Sequence, residues 1–61
     1  MKRVTRFEIY RDRSGEYRWR YCTDKNEVVA SGEGYHFKND CEHAVQLIKV
    51  QAPQAEVADK T

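Results

Sequence analysis

Three sets of side chains in this sequence could do chemistry, and each needs a different geometry. Cys22, His36, Cys41 and His43 supply the sulfur and imidazole atoms that zinc takes as ligands. Ser14 and Ser31 are hydroxyl nucleophiles in waiting for a base. Arg6, Tyr10, Arg18 and Arg20 pair guanidiniums, which bind phosphate, with an aromatic ring on which a base can stack.

The first two sets are weak. The spacing C-x13-H-x4-C-x-H matches no usual zinc pattern. Cys41 and His43 are two apart on a helix and diverge by about 200°. Asp40 and Glu42 beside Cys41 also work against a thiolate. Cys41 is therefore expected to point into the core as a structural thiol, and Cys22 to point outward. Neither serine has an assignable base. SGEG (31–34) is no phosphate loop, because no helix follows it directly. Glu33 and Tyr35 of EGY read as a link from sheet to helix, with Tyr35 packed at its rim. The expectation is a non-enzyme with no cofactor and no metal. The arginine set remains as the candidate interaction surface.

Net charge is +1, too small for binding nucleic acid by bulk electrostatics. The charge is unevenly spread, however. All six arginines lie in residues 1–20, where with Lys2 they face three acids for a net +4. Residues 21–61 hold four lysines against seven acids, a net −3.

The elements that must position these groups follow from periodicity. VTRFEIYR (4–11) alternates, with Phe7 and Ile9 on one parity and Glu8 and Tyr10 on the other, which is a strand pattern. DRSG (12–15) is turn chemistry. EYRWRYCT (16–23) is a second strand with Tyr17, Trp19 and Tyr21 on one face and Arg18 and Arg20 on the other. TDKNE turns again, with its type left open between residues 24 and 27. EVVASGE (27–33) is a short third strand.

Register decides the use of the two faces. A type I turn with a glycine bulge at Gly15 sets Arg11 opposite Tyr17, Ile9 opposite Trp19 and Phe7 opposite Tyr21. An unbulged turn sets Ile9 against Arg18 and Phe7 against Arg20, burying charge at a cost of several kcal/mol. The bulged register is expected to win. It also opposes Glu8 to Arg20 as an ion pair, and Tyr10 to Arg18 as a cation–π contact.

NDCE (39–42) reads as a capping box that starts a helix at Asn39. Cys41, Ala44, Val45, Leu47 and Ile48 form its apolar face, expected to lie over Phe7, Ile9, Trp19 and Tyr21. Pro53 ends it near Gln51. By periodicity alone QAEVADKT (54–61) is a frayed tail with a faint alternation at Ala55 and Val57.

A chain of 61 residues is one domain, and it buries only about 60% of the surface its unfolded chain exposes. With two unpaired-looking cysteines and no metal pattern, self-association is the expected stabiliser. MKRVTRFEIY lacks the apolar run of a signal peptide, and nothing reaches the ~20 apolar residues of a membrane span. The expectation is a cytoplasmic protein with reduced thiols and no membrane partner.

FEIYRDRSGEYRWR (7–20), EVVASGEGY (27–35), C-x-x-A-V (41–45) and AP (52–53) together resemble the YegP-like family, over residues 7–53. These are short uncharacterised proteins, single or tandem. The resemblance implies a β-β-β-α-β chain of the α+β class: a three-stranded antiparallel meander, one helix and a short C-terminal strand. It implies one domain over 1–61 with its core at 4–58. It further implies a homodimer with joined sheets, residues 54–58 being exchanged between copies as strands. The family carries no activity, so no catalytic residue comes with it. The function expected is a non-enzymatic homodimer serving protein interaction or accessory roles, with an unknown protein partner. The alternative is nucleic-acid binding through Arg6, Tyr10, Arg18 and Arg20.

Overall fold

The computed structural model describes residues 4–61. Lys2 and Arg3, counted above in the basic half, lie outside the described residues. The fold is α+β: three antiparallel strands in the order β1-β2-β3 and one helix on one face. The strands are β1 (Arg6–Arg11), β2 (Tyr17–Cys22) and β3 (Val28–Ser31), and α1 spans Lys38–Gln51.

The first hairpin has the bulged register. Arg11 opposes Tyr17, Ile9 opposes Trp19, Phe7 opposes Tyr21, and Glu8 opposes Arg20. Gly15 sits at φ +89°, a left-handed conformation that suits glycine. Its N–H donates to Asp12 O at 3.0 Å, while Asp12 N–H donates to Glu16 O at 2.9 Å. The second turn repeats this design with Asn26 at φ +65°. There Asn26 N–H donates to Thr23 O at 3.0 Å and Thr23 N–H to Glu27 O at 2.9 Å. Each turn is clasped by the side chain that opens it. Asp12 Oδ1 accepts from the N–H groups of Ser14 and Glu16, and Thr23 Oγ1 from those of Lys25 and Glu27.

Beyond β3, Tyr35 exchanges two backbone hydrogen bonds with Tyr17, at 2.7 and 2.8 Å. That clamp sets where α1 begins. The N-cap is Phe37, with no side-chain cap, and not Asn39 of the expected capping box. Asn39 falls inside the first turn because the chain must turn into helix directly after the clamp. Only then does Cys41 descend onto Trp19.

The core is small. Trp19, Cys41 and Val45 are buried together, with Phe7, Tyr17, Tyr21, Tyr35, Ala44 and Ile48 half-buried around them. Phe7 meets Trp19 edge-on at 5.8 Å and Tyr21 at 5.0 Å. Gly32 lies flat against the indole: a Cβ there would sit 2.0 Å from Trp19 Nε1.

Two expected core positions and one expected strand differ. Ile9 is 36% exposed, because α1 lies over β2 and leaves the β1 edge uncovered. Leu47 is 43% exposed. It lies about 200° around the helix from Val45, off the Cys41–Val45–Ile48 stripe. Residues 54–58 form no strand within the chain. Ala52–Gln54 make a single 3-10 turn, after which every residue is exposed.

Candidate functional site

The even-numbered residues of β1 and β2 share the face away from α1. Tyr10 opposes Arg18, Glu8 opposes Arg20, and Arg6 opposes Cys22. The structure thus brings Arg6, Tyr10, Arg18 and Arg20 onto one surface. It also adds Asp12, which the sequence reading treated only as a turn residue. Continuing the even parity of β1 by one step was the available signal.

The guanidiniums on this face are engaged. Arg20 Nε donates to Glu8 Oε1 at 2.7 Å and Arg6 Nε to Glu8 Oε2 at 2.6 Å. Arg6 Nη2 also donates to Asn26 Oδ1 at 2.9 Å, tying β1 to the second turn. Arg18 Nε donates to Asp12 Oδ2 at 2.6 Å. The expected stack of Arg18 on its directly opposed Tyr10 does not form. Arg20 lies over that ring instead, 4.8 Å from its centroid, reaching diagonally while Asp12 draws Arg18 the other way. Diagonal neighbours on a sheet are within reach of long side chains.

The electrostatics follow this pairing. Hydrogen bonds from Arg20 and then Arg6 hold the Glu8 carboxyl below its ordinary value. Hydrogen bonds from the Ser14 hydroxyl and then Arg18 hold Asp12 well below the usual carboxylate range. The Arg18 and Arg20 guanidiniums are correspondingly raised by Asp12 and Glu8. Three arginines against two carboxylates leave the face a surplus of one positive charge.

Cys22 corrects a further expectation. It belongs to the arginine face, yet it is 2% exposed. Arg6 lies directly opposite, its guanidinium fixed by Glu8 and Asn26 on the same side. Cys41 is 0% exposed on the helix side, where burial and then Glu42 raise its thiol pKa. The two cysteines lie on opposite faces of the sheet, so the Cys22–His36–Cys41–His43 set does not converge. Among the described residues no cluster of His, Cys, Asp or Glu could hold a metal ion. Ser14 spends its hydroxyl on Asp12 Oδ1 at 2.6 Å, within a turn that carries no histidine. No helix of the described residues is long and apolar enough to cross a membrane.

The helix side carries a feature that periodicity did not reveal. Two open grooves flank α1, of about 440 and 460 Å³, with Phe7 and Tyr21 in the floor of both. Volumes of this order suit a few buried side chains or a small ligand.

The comparisons with known proteins agree with this architecture. The family model described as "Domain of unknown function (DUF1508)" matches residues 12–59. A UPF0339 protein of Neisseria meningitidis serogroup B is 56% identical over 43 residues, covering 70% of this chain and 77% of that one. A solution structure of a protein from Haloferax volcanii superposes with a TM-score of 0.83 at 33% identity, covering 93% of this chain and 97% of that one. A longer UPF0339 protein from Stutzerimonas stutzeri is 38% identical over 47 residues, which are 77% of this chain but 42% of that protein.

Proposed function

The chain belongs to the DUF1508 family, the YegP-like group its motifs resemble, and from that premise we propose that it is a non-enzymatic, homodimer-forming accessory module. In this reading two copies join their sheets, and residues 54–58 of each become a strand on the other. The observation that carries it is the unfinished apolar side of the sheet. Among the described residues only Trp19, Cys41 and Val45 are buried together there, while Ile9 of β1 is 36% exposed and further apolar side chains stand exposed on β3 (Val28, Val29), on α1 (Leu47, Val50) and in the tail (Val57). Apolar side chains left on sheet edges mark a pairing surface, and a second copy supplies the missing burial. The Stutzerimonas relative supports the same reading. The part of it that lies outside the match is longer than the match itself, enough for a second unit in one chain.

Sedimentation equilibrium at low micromolar concentration tests this. The full chain is expected to be a dimer, and deletion of residues 54–61 to shift it toward monomer. A full chain that stays monomeric overturns the reading. A truncated chain that dimerises unchanged removes the tail from it.

Nucleic-acid binding on the Arg6–Tyr10–Arg18–Arg20 face is the second reading. The Arg20–Tyr10 stack and the surplus positive charge favour it, and the carboxylates of Glu8 and Asp12 oppose it. A phosphate-driven binder loses affinity linearly on a log–log plot against salt. Fluorescent single-stranded oligonucleotides at about 50 mM salt decide it. Binding that disappears in Arg18→Ala/Arg20→Ala supports this reading, and no binding by the unaltered chain ends it.

A further inference from the structure

Each carboxylate on the arginine face divides its two oxygens between different tasks. Glu8 gives Oε1 to Arg20 Nε at 2.7 Å and Oε2 to Arg6 Nε at 2.6 Å. Asp12 gives Oδ2 to Arg18 Nε at 2.6 Å, while its Oδ1 accepts from Ser14 and Glu16 within the turn. No oxygen is left to make any of these pairs two-pronged, so each guanidinium is gripped through a single N–H at its side. Arg6 then commits Nη2 to Asn26 and is spent on joining β1 to the second turn. Arg18 and Arg20 make no hydrogen bond through Nη1 or Nη2 to any described residue. Each keeps all but one of its donors, on a side chain 39% and 42% exposed respectively.

We propose that Arg18 and Arg20 are two pre-set forks for consecutive phosphates of a single-stranded nucleic acid, with Glu8 and Asp12 as the positioning residues that aim them. This rests on the second reading above and deepens it: the carboxylates that lower the charge of the face also fix its geometry. A free arginine side chain loses rotamer freedom when it binds, and one already held at Nε has less to lose. The two Nη groups of a guanidinium match two oxygens of a phosphate, and solvent occupies them until a phosphate arrives.

The sheet spaces the forks. Arg18 and Arg20 are two apart on β2, which sets them about 7 Å apart along the strand, a step that neighbouring phosphates of an extended chain can follow. The Arg20 guanidinium over the Tyr10 ring adds a flat surface beside them. Bases of unpaired strands stack on such planes, whereas an acidic peptide has no ring to use one. The face lies on the other side of the sheet from α1, so the proposal does not depend on how copies of the chain associate.

A labelled oligothymidylate, read by fluorescence anisotropy at about 50 mM salt, tests this. Arg18→Lys/Arg20→Lys keeps the charge but removes Nε and the fork. It is expected to weaken binding about tenfold while leaving the salt slope unchanged. Arg18→Ala/Arg20→Ala is expected to lose about 1.4 from that slope as well, the share of two phosphates on a single strand. A lysine variant that binds like the unaltered chain overturns the forks and leaves the nucleic-acid reading standing. No binding by the unaltered chain sinks both. Glu8→Gln and Glu8→Ala make the same change in charge, but only glutamine retains an acceptor oxygen. Glu8→Ala is expected to bind severalfold more weakly than Glu8→Gln, and equal affinities overturn the positioning role. Polyglutamate that displaces the oligonucleotide at equal charge concentration overturns the assignment of the ligand.

Discussion

The two faces of this sheet solve different problems. On the arginine face each partner is supplied from within the hairpins: Glu8 serves Arg6 and Arg20, Asp12 serves Arg18, and Asn26 takes the remaining arm of Arg6. Hydrogen bonds and ion pairs saturate, so a handful of residues can complete a polar surface. On the other face a single 14-residue helix must cover three strands, and it does not. Hydrophobic stabilisation scales with area and has no natural end point short of full coverage. The polar face is finished in one chain. The apolar face leaves two grooves open beside the helix.

The contrast breaks most sharply at Trp19, the one large side chain the helix does bury. Trp19→Ala is expected to cost about 3–5 kcal/mol, most of the stability a domain of this size has. Thermal melting checks it, and a melting curve like that of the unaltered chain would show that the apolar face is not what holds the fold. Gly32→Ala attacks the same contact from the other side. The added Cβ, 2.0 Å from Nε1, cannot coexist with the indole where it is. Overpacking of this kind costs about 1–3 kcal/mol. Near-ultraviolet circular dichroism should show the displaced ring, and an unchanged spectrum would mean that the ring is not held against the strand.

What could be read from the chain follows the same division. The hairpin register was legible because one slip would have driven Arg18 and Arg20 under the helix, a penalty of several kcal/mol. Six residue pairs follow from that single exclusion. Positions governed by the path of the helix were not legible. Whether α1 crosses β1 or β2 is set by the Tyr17–Tyr35 clamp, a contact 18 residues apart, and local spacing carries no trace of it. Ile9 was misplaced for that reason, and the same clamp displaced the helix start from Asn39, whereas Leu47 lies off the Cys41–Val45–Ile48 stripe by its own helical spacing. Cys22 was placed on the correct face but not in its burial, because the reach of Arg6 to Asn26 is a tertiary event. Of the arginine site, Arg6, Tyr10, Arg18 and Arg20 followed from parity alone. Asp12 was missed because its turn role masked its parity.

A middle-sized effect separates turn from face. Gly15→Ala forces an L side chain into φ +89°, at a cost of about 1–2 kcal/mol. Among the described residues the only atom within 4 Å of the new Cβ is the end of Arg11 at 3.9 Å, so the loss is backbone strain. The second turn tests this, because it holds Asn26 in the same region. Asn26→Gly is expected to leave the turn intact or to relax it, apart from the lost bond to Arg6. A Gly15→Ala chain that melts like the original would show that the bulge does not fix the register.

The smallest effect belongs to the polar face, and it appears in acid. Glu8 and Asp12 have folded-state pKa values below their ordinary 4.5 and 3.8, so the fold favours their ionised forms. That preference stabilises the protein at every pH above those ordinary values. It is lost as pH falls through the depressed folded values, because the unfolded chain takes up protons first. Melting temperature should therefore be flat near neutrality and fall as the pH drops below about 4.5 and through the depressed folded values of both carboxyls. The total is modest, since solvent reaches these pairs and screens them. Asp59 is also lowered, but its hydrogen bonds are to Thr61 within the tail and do not touch the sheet. In a Glu8→Gln/Asp12→Asn chain the acid-side slope should flatten. An equal slope in that variant would place the acid sensitivity elsewhere, and the polar face would then be an ornament on a fold held only by its helix side.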